Sequence, residues 1–430
     1  MDNKHITRRE ILQYSAALAA LTMVTPIQAA VSPENKPNLK DTTFFLPGYR
    51  PHLMRFKGMP LAYHADFTSG ITDDYKGPRT MVSSLNWNGE VHRKVFPLKG
   101  HQITVTKRSS KAFFNSIDHP DMVAFDRDSL EFDRIVKCHS PKFVGGGHAL
   151  FTDDGCCLIN LERRNMKPFQ GRIEDHYGAI VIRDPLTMKV MSVYSCHGVN
   201  PHEIRMIDDN TVAISNYGSS DWPLDQQKQP YPYVIEPSIT VVDIRNGALL
   251  EKFIGPDKNM EIRHLAIDAK GDMLAIQTQL VKAEDEHIYG SKSKQLYEMD
   301  GTVDRRLWFA PAPLLSTLNN KINTISASDP MDQRQGQSML YDPQYNEFIV
   351  TFTSSHRIAV IAAESGTLKQ IIKTDHLGIQ YPRGIQLLPD NTHYAVSGSW
   401  RNIRLFTRGN HSPANIRYET FLGHSHMSVL

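Results

Sequence analysis

Four histidines recur at one place in a repeating pattern. His101, His148, His202 and His264 each open a short alternating segment: Gly100-His101-Gln102-Ile103-Thr104-Val105, Gly147-His148-Ala149-Leu150-Phe151, Pro201-His202-Glu203-Ile204-Arg205-Met206 and Arg263-His264-Leu265-Ala266-Ile267. Imidazole is a ligand for iron, copper, nickel and zinc, so repeats whose starts converge could hold a transition metal, with iron or copper as the expected cofactor. The alternative is structural, each histidine bonding to the backbone of a neighbouring repeat, and it stays open here. Four side chains reach one ion only across a narrow ring, which favours two or three per ion. Glu203, Arg263 and Arg383 stand beside or at the same starts and could hold an anionic ligand such as a carboxylate or phosphate. Ordinary ion pairs between repeats are the competing reading.

A second coincidence is Cys138-His139 and Cys196-His197, each pair beginning 12 residues after an aspartate, Asp126 and Asp184. Thiolate and imidazole make a credible ligand pair, yet the spacing matches neither a zinc knuckle nor a haem-attachment motif, and repeat inheritance of a packing residue is the favoured reading. With Cys156 and Cys157 these are the 4 cysteines of the chain, too sparse for disulfides to hold it together. Gly145-Gly146-Gly147 lacks the lysine and helix of a phosphate loop. Glu174-Asp175-His176 reads as a solvated turn, and Gly423-His424-Ser425-His426-Met427 as just a tail, with adventitious metal chelation as the alternative. No nucleophile elbow, His-Glu-x-x-His or paired-carboxylate frame is found, so a binding or scaffold role leads and a metalloenzyme is the alternative.

These residues need elements to position them, and the elements are strands. Ile180-Val181-Ile182, Ile239-Thr240-Val241-Val242, Glu347 to Phe352 and Ile358 to Ile361 are rich in residues that pack on a pleated surface. Turns such as Asp153-Asp154-Gly155, Asp208-Asp209-Asn210 and Pro389-Asp390-Asn391 follow the first segments with hairpin chemistry. A further element ends at Asp126, Asp184 and Asp243, 58 and 59 residues apart, with Ala362 another 119 residues on. This spacing predicts an all-β fold of seven four-stranded blades, a YVTN/WD40-like β-propeller, with a solenoid as the alternative. Residues 217–237, carrying Trp222, Pro223, Pro230 and Pro232, read as a long inter-strand loop in the fourth repeat.

The chain begins with Thr7-Arg8-Arg9-Glu10, an apolar run from Tyr14 to about Val24, and Ala29-Ala30. That pattern is a twin-arginine export signal built on Arg8 and Arg9, and the apolar run falls short of the roughly 20 residues that span a bilayer. The expected organisation is a signal peptide at 1–30, an extension at 31–57 and the propeller at 58–430, in the periplasm. Removing the leader lowers the formal charge from +2 to about +1, which leaves no electrostatic footprint for nucleic acid. Stable membrane insertion is not expected either.

The run Asn200-Pro201-His202-Glu203-Ile204, with Ile262-Arg263-His264-Leu265-Ala266, Gly145-Gly146-Gly147-His148 and Glu236-Pro237-Ser238, resembles the bacterial periplasmic family called domain of unknown function 1513. The resemblance covers most of the chain after the leader. It implies a twin-arginine-exported seven-bladed propeller, often encoded beside imelysin-like and iron-uptake proteins, and hence a partner of that kind. It implies no activity. The loop after Tyr217 and the stretch Ser354-Ser355-His356-Arg357 depart from the family pattern, and so does any ligand tied to them.

Overall fold

The computed structural model describes residues 39–48, 76–165, 169–220, 233–257, 260–279, 312–318, 321–325, 332–400, 402–419 and 426–430. The leader, with Arg8 and Arg9, lies outside them, as does most of the loop after Tyr217. All the described residues fall in one compact unit, 38–430.

The repeat is built as seven antiparallel four-stranded sheets, accompanied among the described residues by a two-stranded sheet of Ser219–Ser220 with Tyr233–Val234 and by short 3-10 turns. Six sheets are laid down in chain order from a first strand: Gly100–Thr106, Phe143–Phe151, Pro201–Asp208, Met260–Ile267, Gly336–Asp342 and Gln380–Leu387. These first strands pack side by side around the centre, so each sheet is a blade whose later strands step outward. Propeller closure is what lets so many sheets avoid open edges at the axis. We number the blades from the N-terminal one, so the strand at Gly100 opens blade 2.

The aspartate spacing marks the turn between third and fourth strands. Asp126 Oδ1 accepts from the backbone N–H groups of Asp128 and Ser129 and from the Ser129 hydroxyl, and Asp184 Oδ1 does the same with Leu186 and Thr187. Such turns suit a short polar residue followed by a hydroxyl.

Between blades the β-branched and aromatic strands meet in separate apolar clusters. Phe45, Phe96, Phe114 and Phe125 join blades 1 and 2, and Ile159, Ile180, Ile204 and Ile214 join blades 3 and 4. A propeller is thus held by a ring of interfaces, not by one central core.

Blade 1 corrects the expected boundary. Its sheet runs Val91–Phe96, Thr80–Asn86, Thr43–Pro47, Ser428–Val429, so the propeller begins at Thr43, inside the segment read as an extension, not at residue 58. The reason is burial: Phe44, Phe45 and Leu46 are all sealed from solvent. The innermost strand comes from the C-terminus, pairing Val429 with Phe44 and Ser428 with Phe45. Gly384 permits this approach, since a Cβ there would lie 2.4 Å from the Met427 backbone nitrogen.

Candidate metal centre on the channel axis

Each first strand carries a β-bulge near its start, where two residues oppose one. The register slips between Gly100 and Gln102, Pro201 and Glu203, Ile262 and His264, and Gly336 and Ser338, and over the longer stretch from Gly145 to Ala149. A bulge re-aims side chains, so consecutive residues can serve one side of the strand. His202 and Glu203 both reach the axis in this way.

The bulges also change the alignment of the repeats. His101 and His202 are bulged residues, and in blade 5 that position belongs to Arg263. His264 is one place later, level with Glu203 and Ser338. The histidines therefore form two tiers, which plain alternation in sequence had merged into one.

The tiers converge. His101, His148, His202 and His426 each offer a ligand atom within 4.8 Å of the others, and His148, Glu203 and His264 form an overlapping group. His148 is central, its ring centroid 4.3 Å from that of His426, 4.7 Å from His202, 5.2 Å from His101 and 5.4 Å from His264. His426 was read in sequence as part of a tail, and the structure corrects that. The terminal strand that closes blade 1 carries it to the axis, where it is 6% exposed.

Outer partners fix the rings. His202 Nδ1 donates to the Gly146 carbonyl at 3.0 Å, and His264 Nδ1 to Glu203 Oε2 at 2.8 Å. His426 Nδ1 meets the Ser338 hydroxyl at 3.1 Å, and its Nε2 lies 3.1 Å from His101 Nε2. That separation is near the ~3.3 Å between two nitrogens bound at about 2.05 Å to one tetrahedral ion. An Nδ1 held by an outer acceptor leaves Nε2 as the ligating atom, the usual arrangement behind a metal-bound histidine. His148 is the exception. It is 1% exposed, neither ring nitrogen has a hydrogen-bond partner, and Nδ1 stands 3.3 Å from Glu203 Oε1.

The electrostatics keep three of the imidazoles neutral, those of His202, His264 and His426. Burial, reinforced by the neighbouring rings, pushes His202 and His426 well below the ordinary imidazole value. Burial lowers His264 to about 4 despite the Glu203 carboxylate beside it. Burial opposes the charge of Glu203, but Arg205, His148 and His264 hold it well below the usual carboxylate range. Neutral imidazole is the form that binds a metal.

Gly147 makes the crowding feasible. Its φ is +108°, and a Cβ there would sit 2.8 Å from the His202 ring and 3.0 Å from His101. The glycine run that fails as a phosphate loop thus serves as the bulge that seats His148.

Of the other sequence candidates, Glu203 offers a carboxylate oxygen to the group of His148 and His264, whereas the arginines offer no ligand atom. Glu203 orients His264 and meets Arg205 at 3.1 Å. Arg263 pairs with Glu261 at 2.5 Å and lies over the Tyr217 ring at 4.8 Å, with Arg163 at 5.6 Å from that ring. Tyr217 in turn packs on His202 at 4.6 Å. Arg383 is buried, and its carbonyl accepts from the Thr351 hydroxyl of the preceding blade. The cysteine pairs stay apart from the axis. His139 Nδ1 bonds to Glu162, His197 Nε2 to the Gly247 carbonyl, and Cys196 Sγ to the Gly198 carbonyl.

The family model described as "Protein of unknown function (DUF1513)" matches residues 97–306, a span that contains four of the five axial histidines. The chain matches the DUF1513 family. Among solved structures, a chain of the hydrazine synthase of Kuenenia stuttgartiensis is similar at 11% identity, covering 76% of this chain and 90% of that one, with a TM-score of 0.53. At that identity the likeness speaks for the propeller fold alone, and the DUF1513 match brings no activity with it. No curated protein matches.

Proposed function

We propose that this propeller binds a transition-metal ion on its axis, through imidazole nitrogens drawn from His101, His148, His202, His264 and His426. One observation carries the reading: His148 is sealed from solvent among four other imidazoles with no hydrogen bond to either ring nitrogen. Glu203 stands 3.3 Å from Nδ1, but a buried nitrogen without a partner costs about 1–3 kcal/mol, and an ion bound at Nε2 would remove that cost. Five rings can fill positions that a catalytic centre leaves open, which favours binding over turnover.

The leader at Arg8-Arg9 supports a periplasmic setting for that role. The implied gene neighbourhood of the family supports a link to iron uptake or envelope metal handling, with an imelysin-like or iron-uptake protein as partner. A histidine-lined metalloenzyme is the second reading, favoured by Tyr217, which packs on His202 and has two arginines over its ring.

The test is metal loading of the purified, chelator-stripped protein. Cobalt(II), zinc(II), iron(II) and copper are added in turn, and retained metal is measured by mass spectrometry beside the cobalt ligand-field spectrum. We expect near-stoichiometric retention and at least a hundredfold weaker binding in His148→Ala. A folded wild-type protein that retains none of these ions overturns the reading.

A further inference from the structure

We infer that the axial centre selects the reduced, lower-charge member of a redox pair, cuprous over cupric copper and ferrous over ferric iron. The inference rests on the metal-binding reading above and adds what that reading leaves open, the oxidation state of the cargo.

The argument starts from the donors. Five of the six candidate donors on the axis are imidazoles, which bring no negative charge to the ion, and the sixth is the Glu203 carboxylate. The thiols that the sequence offered lie elsewhere: Cys196 is engaged by the Gly198 carbonyl, and Cys138 packs beside Phe143 and Phe113. Tyr217 packs its ring on His202 and lies under Arg263, so what it turns to the cluster is its aromatic face.

Among the described residues one carboxylate reaches the cluster, that of Glu203, and Arg205 already matches its charge. Glu203 meets Arg205 at 3.1 Å, His148 at 3.3 Å and His264 at 2.8 Å. Among the described residues, two further cations near the rings, Arg163 and Arg263, are matched in the same way by Asp118 and Glu261. The protein charge around the axis is therefore close to balanced before any ion enters.

Every unit of charge on the ion must then be carried in a buried site by neutral dipoles. The cost of an uncompensated charge in such a medium rises steeply with its size. The step from the reduced to the oxidised ion is thus harder here than in water or among carboxylates. Donor charge, burial and outer-shell hydrogen bonds are the levers by which a protein sets a metal potential; here neutral imidazoles and burial favour the reduced ion, opposed by the Glu203 carboxylate on His264.

The experiment uses the full-length chain. Cuprous and cupric ions are bound separately, the former under anaerobic competition with a chromophoric cuprous chelator, and the bound couple is then titrated potentiometrically. We expect the bound couple at least about 120 mV above that of aqueous copper, which is a hundredfold preference for the reduced ion at 59 mV per decade. In the iron arm, ferrous ion is taken up and ferric citrate is not.

Ser338→Asp supplies a directional check, since it sets a carboxylate at His426 Nδ1. In the folded variant the copper potential should fall toward the aqueous value. A wild-type couple at or below aqueous copper, or equal uptake of ferric and ferrous iron, overturns the inference while leaving metal binding intact. If no ion binds in any state, the underlying reading fails and the inference with it.

Discussion

At the residue scale the centre depends on how imidazoles are kept neutral and aimed. Glu203 accepts from His264 and stands beside His148, so Glu203→Gln should keep all five rings yet weaken metal binding by roughly 10- to 100-fold, the usual loss when an outer-shell partner goes. Competition against a chromophoric chelator measures this, and unchanged affinity would show that Glu203 does not orient the ligands. The stripped protein also has a definite acid response. The folded values of His202, His264 and His426 lie below the unfolded value near 6.5, so the unfolded chain takes up protons that the folded one refuses. Stability is therefore full above about pH 6.5 and falls as pH drops, down to about 4 for His264. Urea midpoints of the stripped protein between pH 7 and 5 should fall more steeply than those of His264→Asn. Equal slopes would mean that His264 is not held neutral by its surroundings.

At the element scale the bulged first strands set the register of the site, and there the sequence was only partly legible. The blade period was plain, because a third strand ending in an aspartate turn repeats the same local chemistry at Asp126, Asp184 and Asp243. The tiers were not, because a bulge adds one residue without changing residue type, and Arg263-His264 reads like Pro201-His202 until hydrogen-bond register separates them. Gly145-Gly146-Gly147 was visible but unassigned for the same reason, since its use depends on rings that arrive from other blades. Gly147→Ala tests that use. A side chain at a φ of +108° costs about 1–3 kcal/mol in backbone strain, and this one would also press on the His202 ring. We expect a lower thermal midpoint together with loss of the cobalt spectrum. A variant with wild-type loading would show that the bulge does not seat His148.

At the scale of the whole molecule the metal centre and the closure of the ring are one feature. His426 is 325 residues from the His101 ring it faces, a pairing that no local pattern announces; only the need of a propeller to join its first and last blades points to it. That joint is short: Val429 and Ser428 pair with Phe44 and Phe45, Leu430 and Thr43 exchange backbone bonds, and the Ser428 hydroxyl bonds to the Ile103 carbonyl. An ion held by His426 together with His101, His148 and His202 would fasten the terminal strand to blades 2, 3 and 4 at once. Metal should therefore stabilise the closed ring by mass action, about 2.7 kcal/mol at a hundredfold excess over its dissociation constant. It should also protect the C-terminus, so that carboxypeptidase trims the stripped protein faster than the loaded one. In His426→Asn both effects should shrink, while partial metal retention by the remaining rings keeps the variant informative. If the loaded and stripped wild-type chains are trimmed at the same rate, the ion does not clasp the ring, and His426 serves the strand alone.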